Sequence, residues 1–147
     1  MKTLFAVALL LAAPLAAQTP TDCPNVGLAR VPVAFVTAKG RFTYSLEVAA
    51  TPAQQQCGLM FRKKMARGVG MDFPMGAARP LSFWMENTVL PLDLIFVGAN
   101  GRVVSVGQGK PYARDLIHSA APAARVIELN AGEADRMHLR VGDRAIG

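Results

Sequence analysis

The sequence predicts a mostly β protein of the α+β class: a single antiparallel-dominated β-barrel or sandwich with two short helices. Three observations carry this expectation. Short β-branched or alternating apolar runs recur along the chain, each bounded by Gly, Pro, Asn or Asp. Only two segments have a helix start, and both are short. No internal repeat or low-complexity stretch divides the chain into further domains.

The elements follow in order. Residues 31–37 are a β-branched run interrupted by Pro32, which reads as an edge strand because proline donates nothing to a ladder. Residues 38–40 turn the chain into residues 41–48. There Phe42, Tyr44, Leu46 and Val48 alternate with Arg41, Thr43, Ser45 and Glu47, the period of a half-buried strand. Thr51, Pro52 and Gln54 form a helix start with a capping box, and Gly58 stops a helix over 52–57. Residues 70–73 read as a short strand and 81–85 as a strand covered on both faces. Residues 92–97 and 102–106 form a second hairpin across a Gly-Ala-Asn-Gly turn. Residues 107–122 are the least regular. Residues 125–129 are a strand, Asn130 to Glu133 repeats the capping-box pattern before a helix ending near Met137, and a last strand ends at Ile146.

The chain opens with an export signal from Met1 to Ala17. Lys2 makes its start positive, residues 4–11 are an apolar run, and residues 14–17 are its small-residue end before Gln18. The run is far shorter than the roughly 20 residues a spanning helix needs, so membrane contact is expected only through this leader if it stays uncleaved. Cleavage after Ala17 leaves a tail over 18–29 and one β-rich domain over 30–147, either periplasmic or secreted. The formal charge of +6 falls to +5 when Lys2 is lost. Arg62, Lys63, Lys64 and Arg67 form a basic turn without interleaved aromatics. Such a turn is usually solvated. It suits anionic head groups or cell-wall polymers better than nucleic acid.

Cys23 and Cys57 are the only cysteines. In an oxidising compartment they are expected to form one disulfide, the alternative being two unrelated thiols. Neither has the spacing of a metal site or redox pair, and no cofactor is implied.

The chemistry-bearing residues crowd into Gly58-Leu59-Met60-Phe61-Arg62 and Ser82-Phe83-Trp84-Met85-Glu86-Asn87-Thr88, with Leu92-Asp93 following. Strand alternation places Trp84 with Ser82 and Glu86, away from Leu81, Phe83 and Met85. A Trp with a polar rim anchors ligands or peptides, and it also packs under loops. Asn87 and Thr88 offer donors and acceptors at a pocket rim, or simply bond nearby backbone. Asp93 lies within an apolar run and needs a partner, with Arg62 the simplest one. Arg62 can equally present its fork to a ligand carboxylate or phosphate. The expected ligand site is thus a groove of Arg62, Trp84, Met85, Asn87, Thr88 and Asp93, taking a small molecule or a cell-envelope component. Met60, Met71, Met75 and Met85 suggest a second reading, a soft thioether site for Cu(I), against their ordinary use as core filling. A third is an enzyme using Asp93 or His118. No serine has a nucleophile-elbow context, and no zinc-ligand cluster or phosphate loop is present, so catalysis is the weaker expectation.

At these same motifs, and at Glu47-Val48-Ala49, Gly70-Met71-Asp72-Phe73, Gly101-Arg102-Val103-Val104, Ile127-Glu128-Leu129 and Gly142-Asp143, the chain resembles the domain of unknown function 192 family. The resemblance runs over about residues 30–146 and implies a compact β-rich fold, with no chemistry attached. Three positions depart from the family pattern. Glu86 stands where Lys is usual, Asp72 where Leu is usual, and Cys57 where a long or basic residue is common. The disulfide is then particular to this branch.

Overall fold

A computed structural model describes residue 23 and residues 25–147. The expected signal over residues 1–17 and most of the tail lie outside the described residues. β1 (Arg30–Thr37) and β2 (Gly40–Val48) form an antiparallel hairpin running from Arg30 opposite Glu47 to Thr37 opposite Gly40. The chain then crosses over through α1 (Pro52–Cys57) into β3 (Val69–Arg79). β3 lies parallel to β2, and a parallel neighbour requires such a crossover. The Thr51 hydroxyl accepts from the Gln54 amide at 3.2 Å, and the Gln54 side chain accepts from the Thr51 amide at 3.0 Å. This is the capping box read from the sequence.

β4 (Ser82–Phe83), β5 (Leu92–Val97), β6 (Val103–Gly109), β7 (Ile117–His118), β8 (Ala123–Asn130), α2 (Glu133–Met137) and β9 (Arg144–Ile146) complete the fold. The described strands form a seven-stranded mixed sheet in the order β6-β5-β8-β3-β2-β1-β9, and β4 pairs with β7 in a separate ladder. The protein is therefore mostly β with two short helices, as expected. The described strands do not close into a barrel. The sheet's two edges meet at an isolated bridge between Arg102 and Arg144, with backbone hydrogen bonds joining Val103 to Gly142 and Asp143 beside it.

Four element readings change. The strand expected over 81–85, covered on both faces, is only the two-residue β4, and Ser82 and Trp84 are exposed. β1 is not an edge strand, because β9 pairs with Ala34 to Val36. Pro32 is tolerated because it falls outside that short pairing. β3 is longer than the expected 70–73, and extends past an irregularity between Pro74 and Arg79. The cap of α2 is Gly132, with no side-chain cap of its own. Asn130 instead donates to the Met65 carbonyl at 3.1 Å.

Apolar side chains fill both faces of the large sheet. On one face Val33, Phe35, Tyr44, Leu46, Ile95, Ile127 and Leu129 pack with Met137 of α2 and with Ala145 of the edge strand β9. Residues from β6 and β9 in one cluster mean that the sheet curls around this core. On the opposite face Met71, Phe73, Leu94, Phe96 and Val126 pack against Leu59, Leu81, Met85 and Leu90 from the connecting loops. That second layer of loops, α1 and the β4–β7 ladder builds the candidate site.

Cys23 and Cys57 are joined in a disulfide across a sequence separation of 34 residues, with Cα atoms 5.5 Å apart. It ties the tail to the end of α1. Tethering a loop of this length should contribute about 3–4 kcal/mol by restricting the unfolded chain. The Cys23→Ser/Cys57→Ser double variant is expected to lose that much in urea unfolding. Reductant should lower the wild-type midpoint equally and leave the variant unmoved.

Candidate functional site

A cavity of about 190 Å³ opens between α1, the Gly58–Met60 turn, β4 and Trp84. Its walls include Gln55, Cys57, Met60, Phe73, Met75, Phe83, Trp84 and Thr88, and Glu128 also lines it. This is below the roughly 300–1,000 Å³ of a cleft for a drug-sized molecule, so it suits a small molecule or one group of a larger one.

Glu128 is the unusual member. In β8, Ile127 and Leu129 face the curled core, so the alternation turns Glu128 to the other face. There it is flanked directly by Met71 of β3 and Leu94 of β5. It is only 5% exposed, and among the described residues its carboxyl has no hydrogen-bond or ion-pair partner. Burial alone pushes its pKa up to about 8, because a charged carboxylate there loses hydration and gains nothing in return. The carboxyl is thus mostly protonated at neutral pH. Sequence reasoning used a carboxylate inside an apolar run as a signal for Asp93 and did not apply it to Glu128, which carries the same signal between Ile127 and Leu129.

The structure divides the expected groove residues. Trp84 and Thr88 line the cavity. Trp84 is 43% exposed, whereas Thr88 is buried, with its hydroxyl donating to the Glu86 carbonyl at 3.2 Å. Asn87 has a positive φ of 55°, a backbone state that asparagine adopts more readily than most residues. Its carbonyl accepts from the Phe61 amide at 2.8 Å, so it stitches the two motif loops together. It borders a separate depression with Phe61, Lys63, Val89 and Tyr112. Met85 is fully buried in the core. A Cβ on Gly109 would come within 2.6 Å of its sulfur, so the missing side chain there makes room for Met85.

Arg62 does not meet Asp93. Its guanidinium pairs with Glu47 and donates to the Asn25 carbonyl at 2.9 Å. Asp93 is fully buried and accepts from the Ala134 amide at 2.8 Å and from the Gln108 side chain at 3.1 Å. It lies opposite Leu129, and so on the curled-core face of the sheet, away from the cavity. There it supplies the cap that Gly132 cannot. Of the four thioethers, Met60 and Met75 line the cavity, and Met71 and Met85 are buried in the core beneath it. No group of three or more His, Cys, Asp or Glu among the described residues is arranged to hold a metal. His118 lies opposite Ser82 in the β4–β7 ladder, with Nδ1 2.8 Å from the Ser82 hydroxyl. Both side chains are exposed, and among the described residues no acid orients the imidazole.

The departures from the family pattern are each paired. Glu86 forms an ion pair with Arg114. Asp72 takes both ends of the Arg125 fork, at 2.6 and 2.9 Å. Cys57 forms the disulfide.

Fold and site together define a small mixed-sheet domain with an aromatic pocket over one buried carboxyl group. The chain belongs to the DUF192 family, described as an uncharacterized ACR, whose profile matches residues 34–146. Two solved structures are similar. A protein of unknown function from Novosphingobium aromaticivorans is 38% identical with a TM-score of 0.80, and the match covers 89% of this chain and 94% of that one. A putative transcription regulator from Sinorhizobium meliloti is 39% identical with a TM-score of 0.79, covering 83% and 96%. A search of curated proteins finds no match.

Proposed function

We propose that this protein is an exported binding module whose ligand enters the cavity beside Trp84. Export rests on the charged start and apolar run of residues 1–17 and on the disulfide, which suits an oxidising compartment such as the periplasm. The observation that carries the binding reading is Glu128. A buried carboxyl without a partner is costly, and core packing alone gives no reason to keep one at the wall of an open cavity. Trp84 covers the same cavity while remaining partly exposed, the arrangement of an aromatic anchor awaiting a partner. The ligand is a small molecule or a projecting group of a cell-envelope component.

Trp84 is the only tryptophan, so its fluorescence reports this site alone. A panel of periplasmic metabolites and envelope fragments is expected to include a ligand that shifts Trp84 emission and raises the unfolding temperature. Trp84→Ala should weaken that ligand by roughly 10-fold or more, measured by calorimetry. Unchanged affinity in Trp84→Ala would contradict the cavity as the site. A second reading, Cu(I) held by thioethers, is favoured only by Met60 and Met75 sharing the cavity wall. Anaerobic Cu(I) titration should then quench Trp84 at one equivalent, and an absent quench removes that reading.

A further inference from the structure

The polar groups of the cavity point to the charge of its ligand. Among the described residues no Lys, Arg or His lines it, although the chain carries a net positive charge. Cys57 is held in the disulfide, so among the described residues Glu128 is the one lining residue that can change charge. Of the neighbouring polar groups, Gln55 and Thr88 are left as acceptors, while Gln56 and Ser82 can both donate and accept. Gln55 donates its amide hydrogens to the Ala49 and Pro74 carbonyls, at 3.1 and 2.9 Å, leaving its oxygen without a donor among the described residues. The Thr88 hydroxyl already donates its hydrogen bond to the Glu86 carbonyl. Phe73, Phe83 and Trp84 add aromatic surface, and Met60 and Met75 add polarisable sulfur. A buried carboxyl, oxygen acceptors and aromatic faces without a basic side chain make a poor site for an anion. They are the components that hold ammonium groups.

We propose that this cavity binds a small organic cation, an ammonium or quaternary ammonium group, with Glu128 as its counter-ion and the Trp84 ring against its charge. The proposal rests on the binding-module reading and gives that reading a ligand class. Binding requires Glu128 to lose its proton, which burial otherwise opposes. Among the described residues, the charged or titratable groups nearest the cavity are Arg79 of β3, whose guanidinium donates to the Met75 carbonyl, and His118 of β7; neither lines the cavity itself. Met71 and Leu94 flank it from β3 and β5. Gln55 and the bridged Cys57 line its cavity from α1, and Ser82, with His118 on its hydroxyl, lines it from β4. A cation entering the cavity replaces the proton on the carboxyl and supplies the missing partner.

The test uses the leaderless chain with its disulfide intact and four probes: choline, methylammonium, 3,3-dimethyl-1-butanol as the uncharged isostere of choline, and acetate. Binding is read by Trp84 fluorescence and by calorimetry. Choline or methylammonium should bind, and the isostere should be weaker by roughly 30-fold or more. Choline keeps its charge at every pH, so its affinity should rise about tenfold per pH unit from pH 5 to 7 and level off above pH 8, with about one proton released per choline bound below that. Glu128→Gln should weaken choline by roughly 100-fold and leave the isostere unaffected. The pH series needs no variant, so it holds even if a substitution perturbs folding. Isostere or acetate binding as tightly as choline, or choline affinity independent of both pH and Glu128→Gln, overturns the cation assignment and leaves the cavity as a site for another ligand. Failure of all four probes overturns the cation assignment too. If the wider panel also leaves Trp84 unchanged, the binding-module reading falls with it.

Discussion

Replacing Glu128 with Gln is expected to stabilise the protein at pH 9 and to change it little at pH 5. The folded-state pKa of Glu128 is raised from the ordinary 4.5 to about 8 by burial. Between those values the folded chain holds a proton that the unfolded chain has released. Stability therefore falls as pH rises through this window, and levels off above it. The loss between pH 5 and pH 9 should be on the order of 4 kcal/mol. Gln cannot ionise, so the variant escapes the loss. At pH 5 the wild-type carboxyl is protonated when folded and resembles the amide in size and polarity, so the two proteins should agree to within about 1 kcal/mol. Urea unfolding at both pH values checks this. Parallel stability profiles for the two proteins would mean that Glu128 is not held protonated.

The second large effect is expected at Asp93. Asp93→Ala should destabilise the protein by about 2–4 kcal/mol. The carboxylate caps α2 through the Ala134 amide and holds the Gln108 side chain, both from a fully buried position. Its removal leaves a helix-end N–H unsatisfied and opens a small void. Asp93→Asn keeps an acceptor oxygen and should lose about half as much. α2 is also tied to β2, since the Tyr44 hydroxyl donates to Glu133 at 2.6 Å and Arg136 donates to Tyr44 at 2.8 Å. Loosening its N-terminus should therefore propagate to the curled core. Ligand affinity should be unchanged in Asp93→Asn, since Asp93 lies on the other face of the sheet. A loss of affinity without a loss of stability would return Asp93 to the site.

The β-rich class and most elements were legible because they rest on local signals. The alternation of residues 41–48, the capping box at Thr51 and the turn before Arg102 each reappear in the structure. What local signals do not carry is pairing. The parallel contact of β2 and β3 depends on where α1 returns the chain, and the short β9 beside β1 depends on the last residues meeting the first strand. The site was legible in part for the same reason. Trp84 and Thr88 were read from the motif, and both line the cavity. Arg62 and Asp93 were expected to be partners because one is basic, the other acidic, and both sit among motif residues. Glu47 and the start of α2 lie nearer in space and claimed them instead. Glu128 was readable from its apolar flanks, but its isolation became evident only once β3 and β5 had placed Met71 and Leu94 beside it.

The most direct measurement is the NMR titration of the Glu128 side-chain carboxyl carbon, in the free protein and with choline present. The free carboxyl should titrate near pH 8, and choline should move that midpoint downward as it takes the proton's place. A midpoint near the ordinary 4.5, unmoved by choline, would mean that Glu128 is an ordinary carboxylate with a partner of its own, and would contradict the account at its centre.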